Sequence, residues 1–300
     1  MRISPSRLTL GAFLLAFVIV GCDDGGLTAP DSAPTSGALA EVIDTHVETA
    51  TADAMPSARA AAAEAGAGVT FISGPTTIDR SGFYFVTQDF SATTDGIVIT
   101  ANNVFLDLGG HTITGPDNKV GRGVAVEGAR RVYVGGGTVQ TFGVGVALGD
   151  AERVAVVGVR VLGGDEFADP PNGIAPQIGF LLVDSADNRI AGNSAIETNL
   201  GFFVRGGGSM DNTIQGNRAV AGDNGLLAIC YNPADGTTST AGPSRDLVRH
   251  NFLSGFGTGI QASEGSANNR FKGNRIYYLV DDYEDLNGSN AFVNNVTMQL

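Results

Sequence analysis

The chain has no tryptophan, two cysteines, three histidines and four methionines in 300 residues, and only 16% of it is charged. Each scarcity excludes something. Cys22 and Cys230 cannot build a disulfide framework. Cys230 stands in the apolar stretch Leu226-Leu227-Ala228-Ile229-Cys230, where a thiol reads as a packing residue. His46, His111 and His250 are far apart, and a histidine metal site needs several converging ligands. Without tryptophan, any stacking on sugar rings falls to phenylalanine and tyrosine. Basic residues are also few: 18 against 31 acids, a net charge of −13. That balance argues against nucleic acid or an anionic lipid face as partner.

The N-terminus carries Arg2 and Arg7, an apolar run from Leu8 to Val20, and then Ile19-Val20-Gly21-Cys22. A basic start, a short apolar core and a small residue describe an export signal over residues 1–22, too short for a membrane span. The last four residues resemble a bacterial lipobox, which implies cleavage before Cys22 and lipid on its sulfur. Such an anchor holds the protein on a membrane outside the cytoplasm. Residues 23–68 are rich in Ala, Ser, Thr, Pro and Gly, with eight acids and a single base, Arg59. They read as a flexible acidic linker. A single folded domain is expected over 69–300.

From Thr70 onward, apolar residues alternate in short runs punctuated by Gly and Asn, as in Phe83-Tyr84-Phe85-Val86 and Val104-Phe105-Leu106-Asp107-Leu108. A step of glycine, apolar, any residue, apolar recurs at Gly179, Gly201, Gly225 and Gly259. Asn193, Asn217, Asn251, Asn274 and Asn295 follow at intervals of 24, 34, 23 and 21 residues. A period in this range signals a solenoid, whose repeats bury their apolar faces only against each other. About 22 residues make three short strands and three corners, and eight or nine such coils at about 4.8 Å spacing span about 40 Å. Gly, and less readily Asn, accepts the positive φ of a tight corner. The asparagines therefore read as a structural column whose amides bond from coil to coil.

The stretch Gly82 to Asp89, followed by Gly96-Ile97-Val98-Ile99-Thr100-Ala101-Asn102-Asn103-Val104-Phe105-Leu106-Asp107-Leu108-Gly109-Gly110-His111-Thr112-Ile113-Thr114-Gly115, resembles the opening of bacterial right-handed parallel β-helix proteins. These have the pectin-lyase-like fold and are similar to the NosD type. The resemblance implies an all-β right-handed parallel β-helix over about 69–300. It implies little about activity, because one fold hosts lyases, hydrolases, epimerases and non-catalytic members. Polygalacturonase-like Asn-Thr-Asp and Gly-His-Gly motifs are absent, as is a pectate-lyase-like Arg-x-Pro-x-x-Arg.

Outward positions of the first strand in three successive coils are expected at Leu181/Val183, Phe203/Arg205 and Leu227/Ile229. Stacked, they form an exposed apolar stripe, bordered by insertions over 165–178 and 231–243. The insertions either bury the stripe or wall a groove. In a groove, Phe203 and Tyr231 offer stacking surfaces, and Arg205 suits an acidic ligand. Asp165, Glu166 and Asp169 are candidate calcium ligands or simple solvated acids. Tyr277, Tyr278 and Tyr283, with Asp281, Asp282, Glu284 and Asp285, form a second constellation, read first as a capping coil. Two functions remain: a lipid-anchored, non-catalytic envelope protein that binds polysaccharide or a protein partner, or a polysaccharide lyase or hydrolase built from the insertions. No cofactor is expected beyond the possible calcium.

Overall fold

The computed structural model describes residues 69–300 except 117–119, 164–176, 223–224, 233–240, 264 and 287. Cys22, the linker, Asp165, Glu166 and Asp169 lie outside the described residues. Within them every named strand pairing is parallel, in two sheets. The ten-stranded sheet holds the second strand of each coil, from Val69–Ile72 through Val104–Asp107, Arg130–Gly135 and Thr213–Gln215 to Ala291–Val293. The sixteen-stranded sheet climbs through the first strands, from Thr76–Ile78 to Leu227–Asn232, and descends through the third strands to Phe90–Ser91. It crosses between them in Phe252–Ala262, where the third strand of one coil runs straight into the first strand of the next. Arg275–Asp285 repeats this straightened corner.

Alternation dictates the core. Alternate residues of each strand point inward, so Val104/Leu106, Val132/Val134 and Val154/Val156 stack fully buried in successive coils. Larger residues continue the columns: the rings of Phe180 and Phe202 stack at 5.0 Å, and those of Phe271 and Phe292 at 4.7 Å. The recurrent glycine has a steric cause. A Cβ at Gly96, Gly123, Gly145, Gly179, Gly201 or Gly259 would lie 2.5–2.8 Å from a carbonyl oxygen of the next coil. None of the six has a positive φ, so closeness of coils, and not conformational freedom, selects glycine there.

The asparagine column forms as expected. Each Oδ1 accepts the backbone N–H of the residue one coil below, from Val159→Asn193 through Asn274→Asn295, at 2.8–3.0 Å. Each side-chain amide donates back to a backbone carbonyl such as Val156 or Ile190. All but the terminal Asn295 are buried, so these bonds satisfy groups that would otherwise be costly to bury. One detail differs from expectation. The positive φ belongs to the residue before each asparagine: Gly192, Gly216, His250, Gly273 and Asn294.

A second ladder stands five residues upstream: Asn188, Asn212, Asp246, Asn269 and Asn290. It bonds the same way, from Val154 N–H to Asn188 and on to Asn290, at 2.7–3.0 Å. The expected step at Gly225 is corrected. Leu200 pairs with Leu227 and Phe202 with Ile229, so Ala228 occupies the slot of Gly201. The displacement is three residues, and an odd slip exchanges the inner and outer faces of a strand.

Candidate functional site

The outer face of the first strands carries Leu181, Val183, Phe203 and Arg205, all half-buried, in register over two coils. The next coil presents Cys230 and Asn232 there, in place of the expected Leu227 and Ile229. Ile229 is fully buried in the core, and so is Tyr231. Tyr231 is therefore no lateral stacking surface: its ring meets Phe271 edge-on at 5.4 Å and 83°. Cys230 continues the column of Phe203 yet is only 4% exposed. Burial pushes its thiol up to about 12, so it stays protonated and unreactive. The apolar stripe consequently narrows to two coils.

The chain enters this face after the first insertion and leaves it before the second. The first returns at Gln177, whose backbone N–H bonds Asn199 Oδ1 at 2.9 Å and whose carbonyl accepts from Asn199 and Leu200. Asn199 had no place among the sequence candidates; its Asn-Leu-Gly context was the available signal. The second insertion, read over 231–243, follows the first strand that holds Tyr231 and Asn232, and the chain is back in register at Ser244, two residues before Asp246. Tyr231 Oη and Asp246 Oδ2 are both buried and neighbour each other, outside strict hydrogen-bond geometry yet close enough for the phenol to act on the carboxyl. Burial raises the Asp246 carboxyl to about 7, against the opposing bonds from Asn212. Burial likewise pushes the Tyr231 phenol well up, with the Asp246 charge adding to it.

The other candidates separate. Tyr283 stacks on Phe292 at 4.3 Å and Tyr277 tilts against Phe252 at 5.4 Å, while Tyr278 packs on the core, as suits a terminal coil. His111 Nδ1 lies 3.2 Å from Asp89 Oδ1, and Asp89 is held below the usual carboxylate range by the Thr112 N–H and by His111. His250 stands at a corner far from that pair, its ring above Gly273. Among the described residues, no three His, Cys, Asp or Glu side chains gather as a metal site. None of the described helices is long and apolar enough to cross a membrane.

Stacked parallel coils of short strands define a β-solenoid. The chain belongs to the right handed beta helix region family, whose model matches residues 66–276. No curated protein matches it. Among solved structures, it is similar to the Dettilon tailspike protein at 17% identity and a TM-score of 0.50. That match covers 82% of this chain, which spans only 58% of the tailspike. An endo-xylogalacturonan hydrolase from Aspergillus tubingensis matches at 8% identity and a TM-score of 0.42, covering 91% and 92% of the two chains. The Streptococcus pneumoniae surface protein and adhesin PfbA matches at 11% and 0.41, covering 82% and 93%. Likeness at these identities concerns the fold.

Proposed function

We propose that this is an exported, lipid-anchored protein of the bacterial cell envelope that binds polysaccharide, without cleaving it, through the outer face of its first strands. The observation that carries this reading is the half-exposed set Leu181, Val183, Phe203 and Arg205, aligned in register over two coils. Phe203 offers a ring face and Arg205 a planar cation, and an extended ligand laid along the coils meets both. The lipid on Cys22 supplies the membrane attachment. Calcium held by Asp165, Glu166 and Asp169 is an additional expectation, and a protein partner is the alternative ligand.

Binding and turnover of the purified full chain on neutral and acidic polysaccharides, with and without calcium, test the reading. Binding without new reducing ends or unsaturated products is expected, and Phe203→Ala should weaken it roughly tenfold, the worth of one buried aromatic anchor. Released products would overturn the non-catalytic reading and favour a lyase or hydrolase using the acids of the first insertion. Palmitate labelling that persists in Cys22→Ser would remove the anchor from the proposal.

A further inference from the structure

In a chain of net charge −13, one edge of the solenoid is cationic. From Arg160 to Tyr278, the second and third strands carry Arg160, Arg189, Arg218, Arg249, Arg270, Lys272 and Arg275. They carry a single carboxylate, Glu197, at the far end of its strand. The acids of the same coils stand elsewhere: Asp187 and Asp211 at the corner between first and second strands, and Asp281 and Glu284 on a first strand. Register brings the cations together. Gln215, Arg249 and Lys272 follow one another along the last outward column of the second strands. Arg218, Phe252 and Arg275 do so along the first outward column of the third strands. Only the corner built on the asparagine column separates the two rows, and exposed His250 sits on it.

The side chains are set rather than scattered. Arg249 donates from Nε and Nη2 to Gln215 Oε1 at 2.9 and 2.7 Å, which leaves its charge uncompensated. The Arg218 guanidinium lies 5.7 Å from the Phe252 ring, and that ring adjoins Tyr277 at 5.4 Å. Arg218 and Arg275 are exposed, with Lys272 and Arg249 half-exposed. Among the described residues, none of these four pairs with a carboxylate. Three arginines elsewhere do: Arg122 with Asp95 and Glu127, Arg130 with Glu152, and Arg245 with Asp211.

We infer that this edge is a second binding surface, for an acidic polysaccharide lying along the solenoid axis. It is separate from the Phe203 face, and the inference does not depend on that face. The rows advance by one coil, about 4.8 Å, and carry one cation in each of two coils, Arg218 and Arg249, and two in the next, Lys272 and Arg275, beside aromatic rings. A sugar polymer with one anionic group per unit meets such rows with both charge and ring faces. A flat anionic membrane touches a convex corner along too narrow a strip. Nucleic acid brings a charge about every 1.7 Å in duplex form and is repelled by the acidic remainder of the molecule.

Affinity electrophoresis of the full chain in gels containing polygalacturonate or neutral dextran tests this. Retardation by polygalacturonate alone is expected, lost as salt rises. The double variant Lys272→Glu/Arg275→Glu should bind roughly tenfold more weakly, since like charges then oppose each other. Arg130→Ala, at an arginine already paired with Glu152 in the early coils, should bind polygalacturonate unchanged. Should the double reversal lose the wild-type circular dichroism spectrum, Lys272→Gln/Arg275→Gln gives the same reading with a smaller effect. No retardation of the wild type, or retardation untouched by either double variant, overturns the inference. An equal shift by a DNA oligonucleotide also overturns it. A loss confined to Phe203→Ala would overturn it while leaving the proposed function in place.

Discussion

The coils before Gly158 and those after it have the same geometry but hold it differently. In the early coils the corner is made by Gly109-Gly110, Gly136-Gly137 and Gly158, whose positive φ closes the turn without an asparagine following. In the later coils two amide ladders run through the same pair of corners, bonding each coil to the next. The surfaces differ as well. The early second strands carry outward Phe83, Phe105 and Tyr133, all fully buried, with Phe105 and Tyr133 stacked at 4.7 Å. Early Arg122 and Arg130 are paired with acids, whereas among the described residues Arg218, Arg249, Lys272 and Arg275 are not. One backbone plan thus accepts either steric or hydrogen-bonded corners.

The contrast can be broken most sharply at Asn217. Asn217→Ala leaves the Asn193 N–H and the Ile190 carbonyl buried without partners, and about 3 kcal/mol of stability should be lost. Chemical denaturation measures this, and a loss below about 1 kcal/mol would mean the ladder is ornamental.

Asp246 sharpens it next, as the one acid in its ladder. In the other rungs an amide donates to a backbone carbonyl, as Asn212 does to Ser185 and Asn269 to Pro243, and a carboxylate cannot. The groups that act on it are Asn212, through its backbone and side-chain amides, and the Tyr231 phenol, with Asp211 and Arg245 beside it. Its folded value of about 7 exceeds the ordinary 3.8, so the folded state holds the proton more tightly. Stability from this group is complete below about pH 4 and is lost as pH rises through about 7. Asp246→Asn should therefore stabilise on the order of 3 kcal/mol at pH 8 and almost nothing at pH 4. Equal melting shifts at both pH values would refute the assignment.

The smallest effect belongs to the early coils. The Arg130–Glu152 pair, at 3.2 Å with Arg130 two-thirds exposed, should be worth about 0.5 kcal/mol or less. A larger cost for Arg130→Ala, measured by the same denaturation, would show that the early coils also rely on polar links between coils.

Much of this was legible before any coordinates. The asparagine column announced itself because glycine or a residue tolerant of positive φ precedes each member, and because the interval stays within one coil plus an insertion. Its twin five residues upstream was hidden by Asp246, which interrupts the run of asparagines. The outer face failed at one coil. Gly225 matched the repeat by residue type, but close packing against the Gly201 coil is met by Ala228. That three-residue error placed Tyr231 outside, when it lies against Phe271 in the core.

The amino-acid sequence by itself determined that the chain is an all-β solenoid, because alternation and a recurring corner residue are local properties that each coil must satisfy. It also determined which residues bond from coil to coil in the column. Only the tertiary structure decided which side chains share a surface. Neighbours there are one coil apart, 21 to 34 residues along the chain, and insertions of varying length erase that register from the sequence. Arg249, Lys272, Arg218 and Arg275 are unremarkable when read in order. They become one charged edge only when the coils are stacked.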